Sequence, residues 1–140
     1  MHHSITHAFA SDTPHVLLIG SDIPDLPTTY LKTAFDRLHT HDLVLGPTTD
    51  GGYYLIACKK DRYLPQIFTD IPWSTPAVLQ KTLDIIHRHH HTVHLLPPWQ
   101  DIDTPSDLTA LIHRNQNTAF KSSQTFTYLT KQKPMEEPPP

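Results

Sequence analysis

The period of apolar and polar positions changes along the chain, and each change marks an element. Val16-Leu17-Leu18-Ile19 and Leu43-Val44-Leu45 are short unbroken apolar runs. Each is stopped by glycine and an acidic turn, Gly20-Ser21-Asp22 after the first and Gly46-Pro47-Thr48-Thr49-Asp50-Gly51-Gly52 after the second. Such runs read as buried parallel-type strands over 15–20 and 42–46. Between them Leu31, Ala34, Phe35 and Leu38 recur at i, i+3, i+4 and i+7, which predicts a helix over 28–39 with one core face. Thr28 or Thr29 is placed to cap it. The result is a β-α-β unit whose right-handed crossover should give a parallel pair. The apolar run 52–58 follows after only a short loop. A parallel neighbour needs a crossover of a dozen or more residues, so this strand must run the opposite way and the sheet is mixed.

Elsewhere the pattern is helical or irregular. Ile5, Ala8 and Phe9 suggest the end of an amphipathic helix ahead of the first strand. Lys59 to Arg62 form a charged turn, and 64–71 are irregular. Thr75 and Pro76 open a helix over 76–88 whose buried face is Val78, Leu79, Leu83, Ile85 and Ile86. It closes in His87-Arg88-His89-His90-His91. Cations are favoured at a helix C-terminus and adjacent histidines diverge, so this cluster is read as a helix end, not a metal site. A strand over 92–96 follows. Thr104-Pro105-Ser106-Asp107 then carries the cap, the first-turn proline and the capping box of a helix over 105–113 with Leu108, Leu111 and Ile112 inward. Past Arg114 the periodicity fades. The domain is therefore expected over 1–114, with 115–140 a polar, proline-rich, largely disordered tail in which Phe126 and Tyr128 add at most an edge strand.

Composition narrows the picture. A chain of 140 residues suggests one domain. The hydrophobic share of 37% is low and 14 prolines are many, which agrees with an unpacked tail. A net charge of −3 with no basic block argues against nucleic acid as a partner. The single Cys58 excludes an internal disulfide and, inside Tyr53-Tyr54-Leu55-Ile56-Ala57-Cys58, suggests a buried strand thiol in a reducing cytoplasm. No stretch approaches the ~20 apolar residues of a membrane span, and the N-terminus lacks a signal-peptide core. A cytoplasmic protein without a membrane partner is expected.

Chemistry is expected at the strand ends, because open α/β sheets bind ligands beyond the carboxyl ends of their strands. Asp22, Asp50, Asp101 and Asp103 all fall at strand ends or helix starts. Carboxylates gathered there suit a hard cation such as Mg²⁺, which takes one or two protein carboxylates and completes its shell with water and phosphate oxygens. Gly51-Gly52 lets backbone approach a ligand closely. Trp73-Ser74-Thr75 offers an aromatic platform and two hydroxyls at a helix start, a contact for an anion or a sugar. Each has an ordinary alternative. Asp and Gly are default turn formers, Asp103 can help cap its helix, and Trp73 can be core.

Four segments together carry a resemblance: VLLIGSDIPDL, LVLGPTTDGGYYLIAC, IPWSTPAVLQKTL and DIDTPSDL. In order and spacing, across about residues 5–114, they resemble a bacterial family of glycosyltransferases with the GT-A (nucleotide-diphospho-sugar transferase) fold, some assigned to arsenosugar biosynthesis. More distantly the pattern is similar to molybdenum-cofactor guanylyltransferase and the phospholactate guanylyltransferases. The resemblance implies a Rossmann-like α/β fold, a mixed sheet with helices on both faces. It implies Asp22 as the metal-binding acid after the central strand and Asp103 as the second acid, sharing Mg²⁺ or Mn²⁺. Asp50 would be catalytic. Gly51, Gly52 and Tyr53 would belong to its acceptor or sugar loop, with Trp73, Ser74 and Thr75 nearby. The implied activity is transfer from a nucleotide-sugar donor to a small-molecule acceptor. Nucleotidyl transfer of the guanylyltransferase kind, metal-dependent phosphohydrolysis and a non-catalytic, partner-binding remnant are the alternatives. The family ordinarily begins earlier, with a first strand and a basic glycine-bearing loop that have no counterpart here. The chain is accordingly expected to be a C-terminal part that joins a missing N-terminal half or forms a homo-oligomer.

Overall fold

The computed structural model describes residues 1–131. They form two compact units, one of residues 1–20 with 26–99 and one of residues 21–25 with the chain from Gln100 onward.

The first unit contains α1 (His2–Ala10), β1 (His15–Ile19), α2 (Thr28–Arg37), β2 (Leu43–Pro47), β3 (Tyr53–Lys59), two 3₁₀ turns, α3 (Val78–Arg88) and β4 (Val93–Leu95). The strands make one mixed sheet in the order β1-β3-β2-β4. β3 runs antiparallel to both β1 and β2, and β4 pairs parallel with β2. The direction of β3 is as expected, and β1 and β2 do run the same way. They are not hydrogen-bonded to each other, because β3 lies between them. Ile56 pairs with Leu18 on one side and Leu45 on the other. The α2 crossover leaves one strand's width between β1 and β2, and the chain folding straight back from β2 fills it.

Strand alternation divides the core. Leu43, Leu45, Ile56 and Cys58, with Val16 and Leu18 against them, share one face with Ile5 and Phe9 of α1 and Val78, Ile85 and Ile86 of α3. Val44, Leu55 and Ala57 alternate to the other face, where α2 lies against β1 and β2 and buries Ala34 and Leu38. Burial pushes the Cys58 thiol up to about 12, so it is an inert core group. Phe35, expected inward, is 43% exposed. Two helix starts also differ from expectation. Pro27, not a threonine, occupies the N-cap of α2. α3 begins at Val78 because Thr75 opens a turn instead, its hydroxyl donating to the Pro72 carbonyl at 2.7 Å and accepting from the Ala77 N–H at 3.4 Å.

The second unit contains α4 (Pro105–Arg114), a 3₁₀ turn at Ala119–Ser122 and α5 (Gln124–Lys131). Thr104 caps α4 and Asp107 returns the bond, the expected capping box. The expectation of a disordered tail or edge strand fails over 119–131. α5 packs on α4, buries Phe126 edge-on to Phe120, and starts where the Ser123 hydroxyl accepts the Phe126 N–H at 3.0 Å. Its apolar face is too short to announce itself and is stable only against α4. The rest of the proposed tail, 132–140, lies outside the described residues. No helix among the described residues is long and apolar enough to cross a membrane.

Candidate functional site

The loop from Thr48 to Gly52 leaves β2 at a register shift between Gly46 and Pro47. It closes on itself. The Thr48 N–H donates to the Gly52 carbonyl at 3.1 Å. Asp50 Oδ1 accepts both the Thr48 hydroxyl and the Gly52 N–H. The Thr48 bond, and after it the Gly52 bond, hold this carboxyl below its ordinary range, so Asp50 is an anion at neutral pH. Gly51 has φ +95°, and a Cβ there would stand 2.3 Å from the Pro76 carbonyl oxygen. Its own carbonyl accepts the Leu79 N–H at 2.9 Å. The loop is thereby pressed against the first turn of α3, and only glycine fits.

Tyr53 does not offer its hydroxyl to a ligand. The oxygen is buried, Thr82 is beside it, and burial pushes the phenol up to about 12. Its ring meets Trp73 edge-on at 6.3 Å, and the Trp73 indole is 42% exposed. Ser74 follows in the left-handed region at φ +62°. Thr75 spends its hydroxyl on the turn described above. Of the residues expected around this loop, Trp73, the exposed Ser74 and the second oxygen of Asp50 are the groups left to meet a ligand.

Asp22 and Asp103 belong together in the second unit. Both are exposed. The Ile102 N–H donates to the Asp22 carbonyl at 3.0 Å, which lays the 21–25 turn alongside the segment that carries Asp101 and Asp103. The capping alternative for the Asp103 carboxylate does not hold, because Thr104 is the cap and Asp107 the reciprocal acceptor. Asp107 Oδ2 takes the N–H groups of Asp103 at 3.2 Å and Thr104 at 2.8 Å. The Thr104 hydroxyl, followed by its backbone N–H, keeps Asp107 below the ordinary carboxylate range. Asp103 is thus held by its main chain while its carboxylate faces solvent.

Sequence reasoning passed over Asp25, Gln100, Arg114 and Asn115. The Asp25 carboxylate accepts from Arg114 Nε at 2.7 Å, Arg114 Nη2 at 2.9 Å and Asn115 Nδ2 at 2.6 Å. Arg114 also reaches the Gln100 side-chain and main-chain oxygens at 3.0 and 3.1 Å, and Gln100 Nε2 donates to Asp107 Oδ1 at 2.9 Å. The only sequence hint was an acid amid the apolar and proline residues of Ile23-Pro24-Asp25-Leu26-Pro27. The histidines from His87 to His91 supply no group of three ligand-type side chains among the described residues.

The chain superposes on the crystal structure of a "putative nucleotide-diphospho-sugar transferase" from Desulfovibrio desulfuricans G20 with a TM-score of 0.89 and 39% sequence identity. The match covers 94% of this chain and 57% of that one, so this chain spans little more than half the length of that protein. The mixed α/β architecture is therefore that of a nucleotide-diphospho-sugar transferase, GT-A-like fold. No curated protein matches the chain. Residues 1–75 match a family model described as "Uncharacterized protein conserved in bacteria (DUF2064)"; that is more than half of the sequence, and the chain belongs to this family.

Proposed function

We propose that this chain is part of a divalent-metal-dependent transferase that uses a nucleotide-diphospho-sugar donor, with Asp22 and Asp103 as its metal-binding acids. The observation that carries the reading is the Ile102–Asp22 backbone bond, which sets two exposed aspartates on adjoining main chain. The description of the 39%-identical relative supports the donor class.

The donor set fits the metal. Two carboxylates are hard oxygen ligands of the number Mg²⁺ or Mn²⁺ takes from protein when phosphate and water fill the remaining positions. A bound ion would supply positive charge against a departing diphosphate. The chain's own residues then bind and orient. In the second unit, Asp22 and Asp103 would each offer carboxylate oxygens to the ion. In the first unit, by itself, the exposed Trp73 indole offers a flat apolar face of the kind a sugar ring packs on. Asp50, ionised and with Oδ1 spent on its turn, has Oδ2 to accept a bond from a substrate hydroxyl. Its depressed pKa makes it a weak base, so its part is to orient that hydroxyl.

Mn²⁺ titration followed by electron paramagnetic resonance tests the assignment. Asp22→Ala and Asp103→Ala should each weaken Mn²⁺ binding at least tenfold, about 1.4 kcal/mol. Unchanged affinity in either variant removes that residue from the site. Transfer to a conjugate, in preference to release of free sugar or phosphate, distinguishes the transferase from a phosphohydrolase, and transfer of the nucleotide would indicate a guanylyltransferase-like enzyme.

A further inference from the structure

We infer that Asp25 and Arg114 form the positioning pair of this acid site: their ion pair holds the Asp22 turn against the segment bearing Asp103. The inference rests on the assignment of Asp22 and Asp103 made above.

The Asp25 side chain is 1% exposed and lies only three residues beyond Asp22. A buried carboxylate is costly unless fully hydrogen-bonded, and Asp25 takes three donors, two of them from the planar fork of Arg114. Arg–carboxylate forks fix orientation as well as position. As a source of stability alone, an apolar pair would often serve as well. What the ion pair adds is direction. From Arg114 the network passes through Gln100 to Asp107, and Asp107 grips the N–H groups of Asp103 and Thr104. One connected set of bonds therefore reaches the main chain on both sides of the Ile102–Asp22 contact, and Ile23, 5% exposed, is the apolar anchor within the same turn.

Arg114 could alternatively be read as a phosphate-binding arginine. Four of the five N–H donors of its guanidinium are engaged within the protein, to Asp25 and Gln100. That leaves it a bracing role, not a ligand contact. Groups that hydrogen-bond metal ligands directly govern metal affinity by about 10–100-fold; this pair acts through Gln100 and Asp107 on the main chain, so its effect falls at the low end of that range.

The test uses Asp25→Asn and Arg114→Lys in the whole chain. Arg114→Lys keeps the charge and loses the fork, so it remains informative if Asp25→Asn does not fold. Two quantities are read: hydrogen exchange of the Ile102 amide against the amides of β2 and β3, and Mn²⁺ affinity. The expected result is Ile102 exchange that rises about tenfold more than any rise at β2 and β3, and Mn²⁺ binding weaker by up to about tenfold, in Asp25→Asn, with Arg114→Lys intermediate. Ile102 exchange that rises only in step with β2 and β3 overturns the inference, since the pair would then be purely structural. Selective Ile102 opening with wild-type Mn²⁺ affinity overturns it as well. The control is Asp22→Ala. If that variant loses Mn²⁺ and Asp25→Asn does not, this inference alone falls. If Asp22→Ala binds Mn²⁺ like wild type, the acid-site assignment itself falls and takes the inference with it.

Discussion

The Asp50 loop and the Asp22 turn each follow an apolar strand, yet the two turns are held in opposite ways. Asp50 closes its own loop, accepting from Thr48 and Gly52 within two residues on either side. Asp22 has its main chain held by Ile102, while Asp25 carries the buried bonds that anchor the turn. One loop consumes its acid and the other supports it from outside. Position after a strand does not reveal whether an aspartate's own carboxylate closes its turn; the hydrogen bonds that hold the turn decide it.

The largest expected effect breaks the external support. Arg114→Ala leaves the Asp25 carboxylate with Asn115 as its remaining partner from this cluster, and should cost about 3–5 kcal/mol in urea unfolding, the range for a buried pair cut on one side. A cost under about 1 kcal/mol would mean that water replaces the guanidinium, and the contrast between the two loops would collapse.

Next is the self-closed loop. Gly51→Ala must hold φ +95° and meet the Pro76 carbonyl, and should cost about 2 kcal/mol by thermal or urea unfolding. A neutral outcome would show that the loop shifts freely and that its closure against α3 is incidental.

Asp50→Asn should cost about 1 kcal/mol, as the Thr48 and Gly52 bonds lose their charged acceptor, a figure kept low because the group is largely solvated. The effect has a sign in pH. The folded state holds this proton more weakly than the unfolded chain, whose reference value is 3.8. The charged-state advantage is thus complete well above pH 3.8 and drains away as pH falls through the lower folded value. The stability gap between wild type and Asp50→Asn, measured by urea titration at several pH values, should narrow in that acid window. A gap that widens there would contradict the turn-forming role.

The smallest effect sharpens the comparison. Asp103→Ala should change stability by no more than about 0.5 kcal/mol, because the cap of α4 is Thr104 and its partner is Asp107. Thr104→Ala should cost about 1 kcal/mol. Equal losses for the two would return Asp103 to a capping role.

Several of these features were legible in the chain itself. The three main strands, the reversed direction of β3, the core stripe of α3 and the Thr104–Asp107 box follow from local rules or from the length of a connection. Those constraints operate within a few residues, so sequence alone states them. Asp22 and Asp103 stood out through their motif surroundings. Tertiary packing decided the rest. It set β3 between β1 and β2, turned Phe35 outward and the Tyr53 hydroxyl inward, and gave Phe126 a helix to bury. It also joined Asp25 to Arg114 across 89 positions of sequence. No periodicity relates residues that far apart. Whether an acid in a turn is buried, braced or left open depends on which distant surface the folded chain brings against it.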